Sequence, residues 1–414
     1  MKVTVINSGS SSIKYEVFDA GNFVMLASGL VEKIGTNDGR LLQRRRKDDG
    51  TFDEQSMSAP LADHRAGFEL MEDVNRDAPL LGDGSGLLGI GHRVVHGGEH
   101  FREPALINDD VIDAIRGLIP LAPLHNPSNL LGIEVTRERF PRVPQVAVFD
   151  TAFHQTMPPY AYRYAVPHEL YEKHAVRKYG FHGSSHSYVS KEAARHLGIA
   201  LERANLIVLH LGNGASAAAV QGGRSIDTSM GMTPLEGLVM GTRSGDIDPS
   251  LPFYIIRRTG MKPEDVESLL NRESGLKGIC GVSDMREIMD RAATGDERAA
   301  LAIEMFCYRI RKCIGAYYAV LRRLDAVVFT GGIGENASPI RLRVCEGLEH
   351  LGIAIDPGKN SAAGGAVAET QREGMPVKVL VVRTNEEREI AEQTVRTIEM
   401  AKGRSQPRNT NTLM

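Results

Sequence analysis

Short runs of β-branched and aliphatic residues alternate with amphipathic stretches along most of the chain. Residues 3–6 are nearly all apolar and predict a buried strand. The run stops at Asn7-Ser8-Gly9-Ser10-Ser11-Ser12, a turn cluster, and residues 13–19 predict a second strand that completes a hairpin. Residues 35–55 are polar. Arg44, Arg45, Arg46 and Lys47, followed by Asp48 and Asp49, predict an exposed loop or edge hairpin whose charges neutralise one another. Helical patterns cover 61–78, 109–118 and 129–139, the last with Asn126-Pro127-Ser128 as its start signal. Strands are predicted over 89–95, ending at His96-Gly97-Gly98, and over 145–149, ending at Asp150.

Residues 151–187 are rich in Tyr, His and Pro and lack a long period, which predicts an irregular loop region. A helix follows over 190–197. Strands over 206–211 and 217–220 flank Gly212-Asn213-Gly214-Ala215-Ser216. Helices are predicted over 250–259, 263–271 and 296–323, the longest with Leu301, Met305, Tyr308, Ile310 and Ile314 at helical spacings. A strand over 326–329 ends in Thr330-Gly331-Gly332-Ile333-Gly334; a last strand covers 377–382 and a last helix 386–400. Residues 403–414 are polar without a pattern, which predicts disorder. The strand–helix alternation indicates an α/β fold. The strand–turn–strand at residues 3–19 is echoed at 206–220. The echo predicts two related α/β domains facing each other with a ligand between them: 1–150 rejoined by 386–402, and 151–385.

Composition narrows the picture. A chain of 414 residues exceeds the ~250–300 at which single cores stop growing, in keeping with two domains. Lys+Arg 49 against Asp+Glu 52 leaves a net charge of −3, too balanced for a nucleic-acid surface. The four cysteines form no CxxC pair, which argues against a zinc ribbon and fits a reducing compartment. The N-terminal apolar run is too short for a signal peptide, and no stretch of 18 apolar residues occurs, so a soluble cytoplasmic protein with no membrane partner is expected. Glycine is in excess, 43 of 414 or about 10% against a usual ~7%, and points to tight backbone turns near ligands.

The turns hold the candidate chemistry. Consecutive N–H groups around Gly9, the hydroxyls of Ser10 and Ser12 and the ammonium of Lys14 suit a phosphate, although no P-loop motif occurs. His210, Asn213 and Gly214 repeat that chemistry, and two such loops suit a polyphosphate. Gly331 to Asn336 lets backbone approach a flat ligand such as adenine. Arg93, His125, His182, His210 and Arg243 are candidate anion ligands, with Arg243 among small neighbours that let its fork reach outward. Asp150 and Glu386 adjoin strand ends, where Mg²⁺ needs only one or two protein carboxylates beside phosphate oxygens. His92, His96 and His100, and His182 with His186, have a metal-like spacing of four. Gly97-Gly98 breaks the first set, and the second lacks the glutamate of HExxH, so zinc is rejected.

In this order the segments resemble the acetate kinase family, which includes propionate kinases and stands within the wider group of sugar kinases, actin and heat-shock chaperone ATPases. The resemblance runs from Val3 to about Ile398 and rests on residues 7–14, 182–186, 225–231, 233–237, 241–249 and 384–387. It implies two actin-like (ribonuclease H-like) domains with a nucleotide cleft between them. It also implies reversible phosphoryl transfer from ATP to acetate, giving ADP and acetyl phosphate, with Mg²⁺ or alternatively Mn²⁺, in a cytoplasmic homodimer. By resemblance, Asn7, Asp150 and Glu386 form the metal site, and Arg93 and Arg243 hold acetate and the transferring phosphoryl group. His182 faces the transition state; His125 and His210 lie on the phosphate side. Val95, Leu124, Phe181 and Pro234 resemble the methyl pocket. Asp284, Met285, Arg286, Gly332, Ile333 and Asn336 resemble the adenosine site. Two other readings stand beside this one: a kinase for another short-chain carboxylate, and a chaperone-like ATPase, which would need a peptide-binding module after the core.

Overall fold

The structure, a computed structural model, describes residues 1–74 and 84–405. The chain divides into two compact units, Met1–Ala152 with the residues from Asn385 onward, and Phe153–Thr384.

The first unit is built on β1 (Lys2–Ser8), β2 (Ser12–Asp19), β3 (Met25–Glu32), β4 (Thr36–Arg46), β5 (Phe52–Leu61), β6 (Leu87–Val94), β7 (Ala105–Leu106) and β8 (Gln145–Phe149). Their order is β5-β4-β3-β2-β1-β6-β8-β7. β1, β6 and β8 are parallel neighbours, and the others pair antiparallel. The central strands are mostly apolar because both faces are covered. Ile390, Ala391, Val395 and Ile398 of the helix Glu386–Ser405 pack on Val3, Val5, Val146 and Val148. Leu130 and Ile133 of the helix Asn126–Arg139 pack on Val94, Ala147 and Phe149.

The second unit is built on β9 (Asn205–Leu211), β10 (Ala215–Gln221), β11 (Arg224–Thr228), β12 (Ala326–Thr330), β13 (Val367–Glu369) and β14 (Lys378–Val382), in the order β11-β10-β9-β12-β14-β13. β9, β12 and β14 are parallel neighbours; the rest pair antiparallel. Tyr188, Val189 and Ala193 of the helix Gly183–His196 pack on Leu206, Val208, Val328 and Val382.

Six strands of the first sheet, β3-β2-β1-β6-β8-β7, match the whole second sheet in order and direction. The short echo seen in the sequence is thus part of a full-sheet repeat. The expected α/β class with two related actin-like units holds, with β4 and β5 as an added edge hairpin on the first.

Several elements differ from the sequence reading. The helix expected over 61–78 runs His64–Val74, and 75–78 lie outside the described residues. The helix expected over 190–197 starts at Gly183, seven residues earlier, through a Ser/His-rich turn that reads as loop. The irregular stretch after residue 151 contains short helices at Pro159–Tyr162 and His168–His174. β3 and β11 and the helices Gly275–Cys280, Met285–Ala293 and Ser338–Cys345 had no expectation. In the long helix Glu297–Leu321, Ile310 and Ile314 are buried, but Leu301 and Tyr308 are 53% and 54% exposed, so the apolar positions lie on two faces. The last helix continues to Ser405, into the expected tail, and 406–414 lie outside the described residues. Among the described residues no helix is long and apolar enough to cross a membrane.

Candidate active site

In the first unit, Asn7, Arg93 and Asp150 arrive together because β1, β6 and β8 run parallel and end on one side, where open α/β sheets place their ligands. Arg93 donates to the Asp150 carboxylate and, at 3.5 Å, to Asn7 Oδ1. Its Nε lies 3.9 Å from Glu386 Oε2 and is a buried donor without a hydrogen-bond partner. Burial works against the Arg93 charge, but Asp150 and Glu386 outweigh it and hold its pKa above the ordinary guanidinium value. Glu386 opens the helix Glu386–Ser405, where an acid suits the dipole. Burial, and the negative charge of Asp150 against the opposing pull of Arg93, push its pKa up to about 7.

Lys14 pairs with Glu16 at 3.4 Å and Glu387 at 2.5 Å, so its ammonium is engaged by two carboxylates. Burial and the Glu387 charge also push Glu16 up to about 7. In the hairpin turn Ser10 is exposed and Ser12 begins β2, while Gly9 N donates to Ser12 O at 2.8 Å. Val95 is buried, its N–H held by Asn129 Oδ1 at 3.0 Å; Leu124 is 58% exposed, which for a pocket-lining side chain is open. His125 occupies the N-cap of the helix Asn126–Arg139.

In the second unit, His182 occupies the N-cap of the helix Gly183–His196 at φ 58°, ψ 28°. That left-handed conformation is uncommon for a residue with a Cβ and clusters at functional sites. Its Nδ1 lies 2.9 Å from Ser216 Oγ, and its ring centroid is 4.3 Å from that of His210. His210 Nδ1 lies 2.8 Å from Ser185 Oγ, which also meets Thr384 Oγ1 at 2.8 Å. A Cβ added at Gly214 would stand 3.4 Å from His182 Nε2 and 3.6 Å from Arg243 NH1. Ring and guanidinium therefore flank the same turn. The Arg243 segment is fastened there by Gly241 N donating to Asn213 O at 2.9 Å. Arg243 donates to Pro234 O at 3.3 Å and to Met240 Sδ at 3.7 Å, and among the described residues it has no carboxylate partner. Burial alone holds its pKa below the ordinary value. Phe181 is buried, its carbonyl held by His154 Nε2 at 2.9 Å.

Beyond β12, Gly331 adopts φ 77°, and a Cβ there would meet Leu211 O at 2.8 Å, so only glycine lets this segment lie against the end of β9. Residues Gly331–Asn336 form a short helix rather than the expected turn. Gly332 is open, Ile333 half-buried, and Asn336 Nδ2 closes back on Gly332 O at 2.8 Å. The buried guanidinium of Arg341 donates to Gly334 O at 2.9 Å and Glu335 O at 2.8 Å. Asp284 caps the helix Met285–Ala293 and takes the Arg286 fork, which with the Arg286 N–H holds its carboxyl down at about 2. Met285, expected at a nucleotide, is buried at 4% exposure.

The Acetokinase family matches residues 2–392. The chain belongs to that family. It is 59% identical over 402 residues to an acetate kinase of Syntrophobacter fumaroxidans, covering 97% of this chain and 98% of that protein. Among solved structures, it is similar to a Porphyromonas gingivalis acetate kinase (42% identity, 96% and 99% of the chains covered, TM-score 0.89). It is also similar to a Francisella tularensis propionate kinase (45% identity, 95% and 98% covered, TM-score 0.87).

For this acetokinase, the oxygen donors of the first unit suit Mg²⁺. No group of three or more His, Cys, Asp or Glu that could hold a metal stands together among the described residues, so a dedicated cage is absent. Mg²⁺ asks for less, one or two carboxylates with substrate phosphate and water. Four carboxylates, Glu16, Asp150, Glu386 and Glu387, surround two cations, Lys14 and Arg93, and two of those carboxyls are pushed to about 7. That excess of acid favours a further cation. Ser185, His186, Ser216, Glu335, Arg341 and Thr384 hold the site residues in place yet were not singled out for that part. All but Arg341 fall within the turns and motifs read from the sequence, but no local pattern reveals a bond to another element.

Proposed function

We propose that this acetokinase transfers the γ-phosphoryl group of ATP to acetate, giving acetyl phosphate and ADP, and runs the reverse reaction as well. What carries the reading is the pairing of Arg243 and His182 at the Gly214 turn, with no carboxylate on the Arg243 fork among the described residues. A half-buried guanidinium left without an acid is suited to an anion.

Acetate is ionised near neutral pH, so its attacking oxygen has no proton to lose and no general base is required. The obstacle is repulsion between two anions. Arg93 and Arg243 bind and orient the carboxylate and the moving phosphoryl group, and His182 donates to its equatorial oxygens during in-line transfer. Asn7, Asp150 and Glu386 would hold Mg²⁺ or Mn²⁺, which when bound neutralises phosphate charge. Asp150 also fixes Arg93 through their ion pair. Ser10, Ser12, Lys14, His125, His210, Asn213 and Gly214 serve the phosphates in this reading. Asp284, Met285, Arg286, Gly332, Ile333 and Asn336 serve the adenosine, and Val95, Leu124, Phe181 and Pro234 the acetate methyl. A cytoplasmic homodimer is part of the same reading.

The similarity to a solved propionate kinase favours a second acceptor. One extra methylene is worth only ~1–3 kcal/mol, so propionate should react less efficiently than acetate. Trapping the acyl phosphate with hydroxylamine across acetate, propionate and butyrate tests both. Preference for butyrate sinks the small-acid reading; ATP hydrolysis indifferent to any carboxylate sinks the kinase.

A further inference from the structure

Behind His182 in the second unit, one hydroxyl joins two imidazoles. Ser216 on β10 is fully buried and its Oγ lies 2.9 Å from His182 Nδ1 and 2.8 Å from His186 Nε2. His186 stands one helical turn beyond His182, its N–H bonded to His182 O at 2.9 Å, and its ring is fully buried. The other ring nitrogen, His186 Nδ1, has no hydrogen-bond partner.

A serine hydroxyl carries one proton, so it donates to one ring and accepts from the other, and the direction sets both tautomers. If His186 bore its proton on Nδ1, an N–H would be buried without an acceptor. If it bears the proton on Nε2, only a lone pair is left unpaired. Buried N–H groups without acceptors are rarer than under-used acceptors, and leaving one costs about 1–3 kcal/mol. The His154 ring, edge-on at a centroid distance of 5.4 Å, offers Nδ1 no more than a weak N–H···π contact. A doubly protonated His186 is disfavoured by burial and by His154 and His210, which hold its pKa well below the usual value.

We infer that His186, through Ser216, sets the tautomer of His182. Donation runs from His186 Nε2–H to Ser216 Oγ, and from the Ser216 hydroxyl to His182 Nδ1. A neutral His182 then carries its own proton on Nε2, the atom beside the Gly214 turn. His186 and Ser216 touch no substrate in this arrangement; they are positioning residues that keep a neutral imidazole as a donor. The consequence for catalysis rests on the reading of His182 as a phosphoryl ligand; the tautomer assignment does not.

Ring-¹⁵N histidine labelling with long-range ¹H–¹⁵N correlation tests the assignment, with His182→Gln used to identify the His182 signals. The intact protein should show His182 protonated at Nε2 alone. Ser216→Ala should let the Nδ1–H form appear and lower kcat roughly 10- to 100-fold with little change in KM, as for partners that orient other functional imidazoles. Ser216→Cys, similar in size with a weaker donor, should fall between and serves if the alanine variant does not fold. An Nδ1–H tautomer in the intact protein, or an unaltered Nε2–H tautomer in both variants, overturns the inference. A normal tautomer shift with unchanged kcat leaves the relay standing and refutes the role of His182 instead.

Discussion

Arg243 carries a charge that no carboxylate answers among the described residues. Its fork reaches one carbonyl and one thioether, and burial alone acts on its pKa. Arg93 differs, being held by Asp150 with Glu386 nearby. Arg243→Ala should therefore depress kcat far more than it raises KM, by up to the ~10³–10⁵ that an arginine supplies in other phosphoryl transfers. Steady-state kinetics in both directions measures this, and an unchanged kcat removes the role. Asp150→Asn should abolish Mg²⁺-dependent turnover, both by halving the carboxylate pair and by releasing Arg93; a Mg²⁺ titration showing near-normal turnover counts against the metal role. At this scale the sequence is most informative where polar side chains stand among glycines, as with Arg243 and Asn213. It is silent about Ser216, because one hydroxyl on β10 gains its significance only from two rings on another element. His182 and His186 display their four-residue spacing openly, but the spacing alone suggests a metal pair, and the bridging hydroxyl is what changes the reading.

Elements show a similar division. β1, β6, β8, β9, β12 and β14 are legible because they are covered on both faces and so are mostly apolar. β3 is not, since two of its three inward positions, beside Val31, are filled by Ala27 and Gly29, residues that are depleted in strands. The helix Gly183–His196 hides its first turn behind Ser184, Ser185 and Ser187, weak helix formers that are nonetheless buried there. The junction of β12 with the helix Gly331–Asn336 shows how one element positions another. Gly331 supplies the left-handed turn, Glu335 accepts from the N–H groups of Gly331 and Thr384, both at 3.0 Å, and Arg341 holds the two carbonyls that close the helix. A side chain at Gly331 faces both an unfavourable φ and the Leu211 backbone. Gly331→Ala should cost about 1–3 kcal/mol by urea unfolding. It should also raise the KM for ATP more than that for acetate; equal effects on the two substrates would detach this segment from the nucleotide.

Taken whole, the molecule repeats one sheet twice but loads the two copies with different titrating groups, and acid should separate them. In the first unit His92 is buried against Gln145, and burial lowers its pKa to about 4, while Glu16 and Glu386 are raised to about 7. In the second, burial lowers His154 to about 4 and drives His186 well below its usual value. A depressed histidine contributes stability above its unfolded pKa near 6.5 and loses it as pH falls toward the folded value; each such loss is about 2 kcal/mol at pH 5. A raised carboxyl does the opposite. Its folded form binds the proton first, so each of Glu16 and Glu386 contributes about 2 kcal/mol more at pH 5 than at pH 7. The first unit then gains more from two carboxyls than it loses at His92, whereas the second loses at both histidines. Asp227 and Asp246, raised by burial, soften that loss, and the depressed Asp284 and Glu369 give way only below about pH 4.5, outside the interval. Hydrogen exchange in Mg²⁺-free buffer, corrected for intrinsic rates, reports opening energies strand by strand. Between pH 7 and 5, β9, β12 and β14 should lose protection while β1, β6 and β8 keep theirs. Protection lost first from β1, β6 and β8 would mean that Glu16 and Glu386 do not take up protons as their surroundings require, and with it the argument that their crowding favours a bound cation would fall.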